Sequence, residues 1–117
     1  MDDKQATGKL GEKLAAEYLQ QKGYEIIASN YRHRRGEIDL IAQHEGVLIF
    51  VEVKTRKGGP AWGYPEEAVD AKKARLIVAT ANAYIFETDW HGEIRFDIVS
   101  VQLGITTLIS HFEDAFY

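Results

Sequence analysis

The chain has 117 residues, 45% of them hydrophobic, which is enough for one domain with a single core (residues 1–117) and too few for two of ordinary size. It contains no cysteine, which excludes disulfides, thiolate metal sites and cysteine nucleophiles. Its polar N-terminus (MDDKQATGKL) and the lack of an apolar run near the roughly 20 residues of a membrane helix point to a cytoplasmic protein with no membrane association. The formal net charge of -4 argues against a general polyanion binder, yet thirteen of the fourteen Lys and Arg residues precede Leu76, so basic groups survive locally while the last third is acidic.

From Thr7 to Lys22, Leu14, Ala15, Tyr18 and Leu19 share one side of a 3.6-residue period with Gly8 and Gly11, which predicts an amphipathic first helix. Gly23 ends it in the left-handed conformation that commonly closes a helix. Glu12 falls beside Ala16 and Leu19 at the margin of the apolar face, half turned toward the core.

A strand over Tyr24–Asn30 follows, then a basic connection over Tyr31–Gly36. A hairpin of Glu37–Gln43 and Val47–Lys54 comes next, around His44-Glu45-Gly46. Alternation puts Glu37 and Asp39 on one face of their strand, and Glu52 and Lys54 on one face of theirs. A two- or four-residue turn pairs positions summing to 91, which sets Asp39 opposite Glu52 and Glu37 opposite Lys54 as an ion pair. A three-residue turn sets Val51 opposite Asp39 instead, and the first register is preferred.

Thr55–Tyr64 (TRKGGPAWGY) is dense in glycine and reads as a mobile loop, in which Trp62 and Tyr64 either stack on an unpaired base or pack on the sheet. Asp70 is a good N-cap for a helix through Phe86 with an apolar stripe of Ala74, Ile77, Val78, Ala81, Tyr84 and Ile85. Ile94–Gln102 reads as a strand, Thr106–His111 as a short one and Glu113–Tyr117 as a frayed turn. The order α-β-β-β-α-β-β predicts a mixed sheet with helices on one or both sides.

Charge inside buried strands is costly unless it is paired or holds a cation. Two facing carboxylates about 5 Å apart repel, and a divalent cation relieves them. Asp39, Glu52 and the Val53 carbonyl have the composition of a magnesium or manganese site, and Lys54 on the same face suits an ammonium that orients water and offsets charge on phosphate. On spacing alone, ion pairing of these acids with Lys54 or nearby arginines serves equally well. Arg32, Arg34 and Arg35, then Arg56 and Lys57, are candidate phosphate contacts, as is Lys72 near the start of the second helix, although Glu66, Glu67 and Asp70 dilute its signal. The four histidines lack metal-ligand spacing.

Gly11-Glu12, Gly23-Tyr24, Asn30, Arg32, Gly36-Glu37-Ile38-Asp39, the run Phe50–Arg56, Glu67-Ala68-Val69, Lys72, Ala81 and Tyr84 together resemble the YraN family of uncharacterised bacterial proteins over most of the chain. That family is similar to Holliday-junction resolvases of the restriction-endonuclease-like superfamily, whose motif is PD-(D/E)-x-K. The resemblance implies an α/β restriction-endonuclease-like core, a mixed central sheet flanked by helices. Asp39 matches the first acid, Glu52 the second, Lys54 the lysine, and Glu12 the glutamate that resolvases carry on the first helix near the metal. Ile38 replaces the motif's proline, which is no ligand. The implied activity is Mg2+- or Mn2+-dependent hydrolysis of phosphodiesters in branched or structured DNA by a homodimer with no small-molecule cofactor. A non-catalytic nucleic-acid-binding adaptor that keeps the nuclease fold is the alternative, and a structural module using the acidic last third ranks below both.

Overall fold

A computed structural model describes residues 4–57 and 69–116 of the chain. Its elements are α1 (Lys4–Gln21), β1 (Glu25–His33), β2 (Gly36–His44), β3 (Val47–Lys57), α2 (Ala71–Thr88), β4 (Glu93–Leu103) and β5 (Leu108–Phe112), in the expected order. The strands form one sheet in the order β1-β2-β3-β4-β5, antiparallel throughout except for the parallel pair β3 and β4. A parallel pair needs a crossover, and α2 lies in the connection that supplies it. No helix among the described residues is long and apolar enough to cross a membrane.

The two helices cover opposite faces. Ala15 and Leu19 of α1 pack with Leu40, Ala42, Ile49, Val51, Val99 and Val101, while Ile77 and Ala81 of α2 pack with Ile38, Ile41, Phe50, Phe96 and Ile98. Central β3 is therefore buried on both sides, which is why its sequence reads as an unbroken apolar run up to Glu52. Gly23, at φ 93°, closes α1 as expected: its N–H bonds to Gln20 O and the Tyr24 N–H to Leu19 O, with Tyr24 and Leu19 meeting in the core. Asp70 caps α2 through the Lys73 N–H at 2.8 Å.

Two glycines set the helices close to the sheet. A Cβ on Gly11 would collide with the Thr55 hydroxyl of β3, and one on Gly36 with the Thr80 hydroxyl of α2. These contacts seat α1 close against β3 and α2 close against β2.

Several boundaries differ from expectation. Strand β1 begins at Glu25 and runs through His33, so the basic connection shrinks to a turn at Arg34-Arg35. Strand β3 continues to Lys57 because Thr55, Arg56 and Lys57 find partners in β4 up to Leu103. The anticipated loop thus loses its first three residues, and the rest of it, with Trp62 and Tyr64, lies outside the described residues. The segment after β5 is anchored rather than frayed: the Ala115 N–H bonds to Phe96 O, and Phe116 packs on Phe96.

Candidate metal and nucleic-acid site

The hairpin register is the preferred one. Glu45 and Gly46 have φ values of 51° and 80°, as a two-residue turn with both central residues left-handed requires, and His44 pairs with Val47, Ile41 with Phe50 and Leu40 with Val51. At Asp39 the ladder stops. The Val53 N–H donates to Asp39 Oδ2 at 2.8 Å, so a side chain takes the place of a backbone acceptor. Side-chain alternation also breaks there: Ile38 joins the α2 side of the core and Leu40, two residues on, the α1 side. Asn30 of β1 sits beside this break at φ 53°.

Because β2 leaves β3 at this point, Glu37 does not meet Lys54. It pairs instead with Arg32, its partner across β1 and β2, at 3.1 Å, an exposed contact worth little. Lys54 makes no ion pair among the described residues and faces a cavity of about 530 Å³ that also receives Asp39, Glu52, Val53, Glu12, Lys4, Lys57 and Lys73.

Asp39 and Glu52 lie within hydrogen-bonding reach of each other. Burial, the hydrogen bond to Glu52 and the Glu52 charge push the Asp39 carboxyl up to about 9, against the opposing pull of the Val53 N–H. The Asp39 carboxyl therefore favours its protonated form at neutral pH. Glu52 is 6% exposed, and its Oε2 lies 2.8 Å from Lys73 Nζ but outside hydrogen-bond geometry, so this buried oxygen accepts no hydrogen bond. Burial works to lower the Lys73 ammonium; the Glu52 carboxylate and the Asp39 and Asp70 charges outweigh it and the net shift is upward. An under-satisfied oxygen and a protonated carboxyl beside it are what a divalent cation with oxygen ligands would relieve.

Glu12 lines the same cavity from α1, but its Oε1 accepts from Asn30 at 3.1 Å. Among the described residues no three Asp, Glu, His or Cys side chains converge as a metal cluster, so the metal-fitting set is Asp39, Glu52 and the Val53 carbonyl, with Glu12 at its edge. Of the predicted basic contacts, Lys57 lines the main cavity. Arg32 lines an adjoining cavity of about 300 Å³ with Lys4 and Lys9. Arg35 lines one of about 200 Å³ on the α2 side of the acids and, with Arg34, a further one of about 320 Å³ beside α2. Arg56 and Lys72 are exposed and line none of these cavities.

Lys73 is the site residue that sequence reasoning passed over in favour of Lys72. It stands four residues before buried Ile77, so the helical period aims Lys73, and not its neighbour, at the sheet. Asp97 was also overlooked. Far from being part of an acidic surface, it is fully buried, bound by Arg95 at 2.8 and 2.9 Å, His111 at 2.7 Å and the Asp114 N–H at 3.0 Å. Lys22 offers only donors to His111 Nδ1, at 2.8 Å, so Nε2 carries the hydrogen given to Asp97.

A family model described as "Uncharacterised protein family UPF0102" matches residues 11–101. The chain belongs to this family. The match takes in Glu12, Asp39, Glu52, Lys54 and Lys73, and it agrees with the YraN resemblance drawn from the sequence. Among its relatives, the UPF0102 protein of Persephonella marina is 46% identical over 110 residues, covering 93% of this chain and 91% of the relative. The UPF0102 protein FP2501 of Flavobacterium psychrophilum is 46% identical over 111 residues (94% and 92%), and that of Alkaliphilus oremlandii 46% over 115 (93% and 96%). These UPF0102 proteins match this chain over more than nine-tenths of their own length, the carboxylate pair included.

Proposed function

We propose that this chain is a metal-dependent, endonuclease-like protein with a restriction-endonuclease-like fold that hydrolyses phosphodiesters in branched or structured DNA. The observation that carries the reading is the Asp39–Glu52 pair: two neighbouring carboxyls, one of them with a buried oxygen that is ion-paired to Lys73 but accepts no hydrogen bond, in a cavity bordered by four lysines. The chain-wide likeness to the YraN pattern, with its Asp39, Glu52-x-Lys54 spacing, supports it. Asp39, Glu52 and the Val53 carbonyl would hold Mg2+ or Mn2+, and the cation would supply Lewis acidity toward water and the scissile phosphate.

The chain's own groups do the rest. Lys54, unpaired among the described residues, orients the attacking water and offsets charge gathering on the phosphate. Lys4, Lys9 and Arg32 on the α1 side of the acids, and Arg35 and Arg34 on the α2 side, offer phosphate contacts on both sides, which suits a substrate of more than one strand. Confinement of these cations to the cavity region reconciles nucleic-acid binding with a net charge of -4. Cutting both strands of a junction requires two sites, so the working unit is a homodimer, acting in the cytoplasm.

Labelled four-way junction, flap and linear DNA incubated with the protein in Mg2+ or Mn2+ provide the test. Cleavage of the branched substrates, abolished by Asp39→Ala and by Lys54→Ala, is the expected result. Binding without cleavage in both metals would replace the enzyme by a nucleic-acid adaptor, a reading favoured by the lack of a third converging carboxylate among the described residues.

A further inference from the structure

Buried acids in this protein are satisfied in two different ways. Asp97 is saturated by Arg95, His111 and the Asp114 N–H, and its two side-chain partners, Arg95 and His111, are only 21% and 2% exposed. Glu52 has one off-axis ion pair, and its partner Lys73 is 44% exposed. The Lys73 ammonium reaches a buried oxygen from a half-exposed stem and can leave it at little cost to the core.

Its backbone, by contrast, is fixed. The Lys73 N–H is held by the Asp70 carboxylate in the first turn of α2, and the side chain reaches Glu52 of β3. Lys73 also borders two cavities, the one of about 530 Å³ shared with Lys54 and Glu12 and the one of about 200 Å³ shared with Arg35. A displaced ammonium therefore has open space on either side of the acids.

We propose that Lys73 is a positioning residue that serves as the site's resident counter-ion: it occupies Glu52 Oε2 in the metal-free protein and is displaced from that oxygen when a divalent cation binds. The inference rests on the metal-site reading above and adds a residue and a competition to it. Lys73 holds Glu52 Oε2 at 2.8 Å in the metal-free protein, and it sets a threshold that the cation must exceed. A lysine with a purely structural role would lower metal affinity when removed. A competing one raises it.

The test is Mn2+ titration of the full chain by calorimetry or electron paramagnetic resonance, with DNA omitted. Lys73→Met is expected to bind Mn2+ about fivefold more tightly than the wild type, the equivalent of one partly screened ion pair. Lys73→Arg should return affinity toward the wild-type value. Arg75→Met, which removes the same charge from an exposed position on the same helix, should change nothing. Thermal melts confirm folding, and Lys73→Gln replaces Lys73→Met if the latter does not fold. Wild-type binding with Lys73→Met equal or weaker would overturn the counter-ion role alone, as would an equal gain in Arg75→Met. Absence of Mn2+ binding in the wild type would overturn the metal site itself, and the counter-ion role with it.

Discussion

Replacing Asp39 by Asn should make the metal-free protein more stable, and increasingly so as pH rises. The amide keeps an oxygen to accept from the Val53 N–H and gains an N–H to donate toward Glu52, where the wild type must supply a proton. The folded-state value of Asp39 is raised from 3.8, so above that pH the unfolded chain releases a proton that the folded chain retains. Wild-type stability therefore falls with rising pH from there up to the raised value and is level beyond it. Each pH unit in that window contributes about 1.4 kcal/mol, which sets a ceiling of about 4 kcal/mol at pH 7. Screening by cavity water and by Lys73 reduces the realised gain to about 1–2 kcal/mol. Urea unfolding in EDTA at pH 5 and pH 8, with the urea dependence checked to be equal in both proteins, measures it. An Asp39→Asn variant less stable than the wild type at pH 8, or a difference that does not widen from pH 5 to pH 8, would refute the retained-proton account.

The same proton should appear in the binding thermodynamics. Loading Mn2+ at pH 7 displaces it, so calorimetry in buffers of differing ionisation enthalpy should report release of about one proton per cation, and zero would contradict the assignment. At the other acid the sign is reversed. Burial works to raise the Asp97 carboxyl, but the hydrogen bonds from His111, Arg95 and the Asp114 N–H together hold it below its ordinary value. Its contribution is fully present above the unfolded-state value and is lost as pH falls through the folded-state one. Asp97→Asn, which leaves Arg95 short of its charge partner, should cost about 3–5 kcal/mol at pH 7 by urea unfolding, and less at low pH. A neutral effect at pH 7 would show that this buried network does not brace the sheet.

Much of this architecture was legible because short-range rules decide it. Glu45 and Gly46 are the residues on which a two-residue turn depends, and once they turn, arithmetic alone carries Leu40 to Val51. The period of α1 and the caps at Gly23 and Asp70 are equally local. What was not legible depends on the chain departing from regularity or on distant partners. Alternation cannot foresee that it breaks at Asp39, so the expected Glu37–Lys54 pair gave way to Arg32–Glu37. The loop signal of Gly58 and Gly59 spread backward over Thr55 to Lys57, which β4 instead holds in the sheet. Lys73 was passed over for Lys72 because the helical phase against Ile77, which turns Lys73 toward the sheet, was not applied to the choice between them. Asp97 was read with its acidic neighbours, although only the fold brings Arg95, His111 and Asp114 around it.

The central claim is that Asp39 and Glu52 form a divalent-cation site. Crystals of the protein grown with Mn2+ and measured for anomalous scattering test it most directly. The account predicts one peak at about 2.0–2.3 Å from carboxylate oxygens of both Asp39 and Glu52 and from the Val53 carbonyl, with the Lys73 ammonium moved off Glu52. A saturated crystal with no peak at these oxygens would contradict it, whereas a peak with Lys73 still seated on Glu52 would contradict the counter-ion role alone.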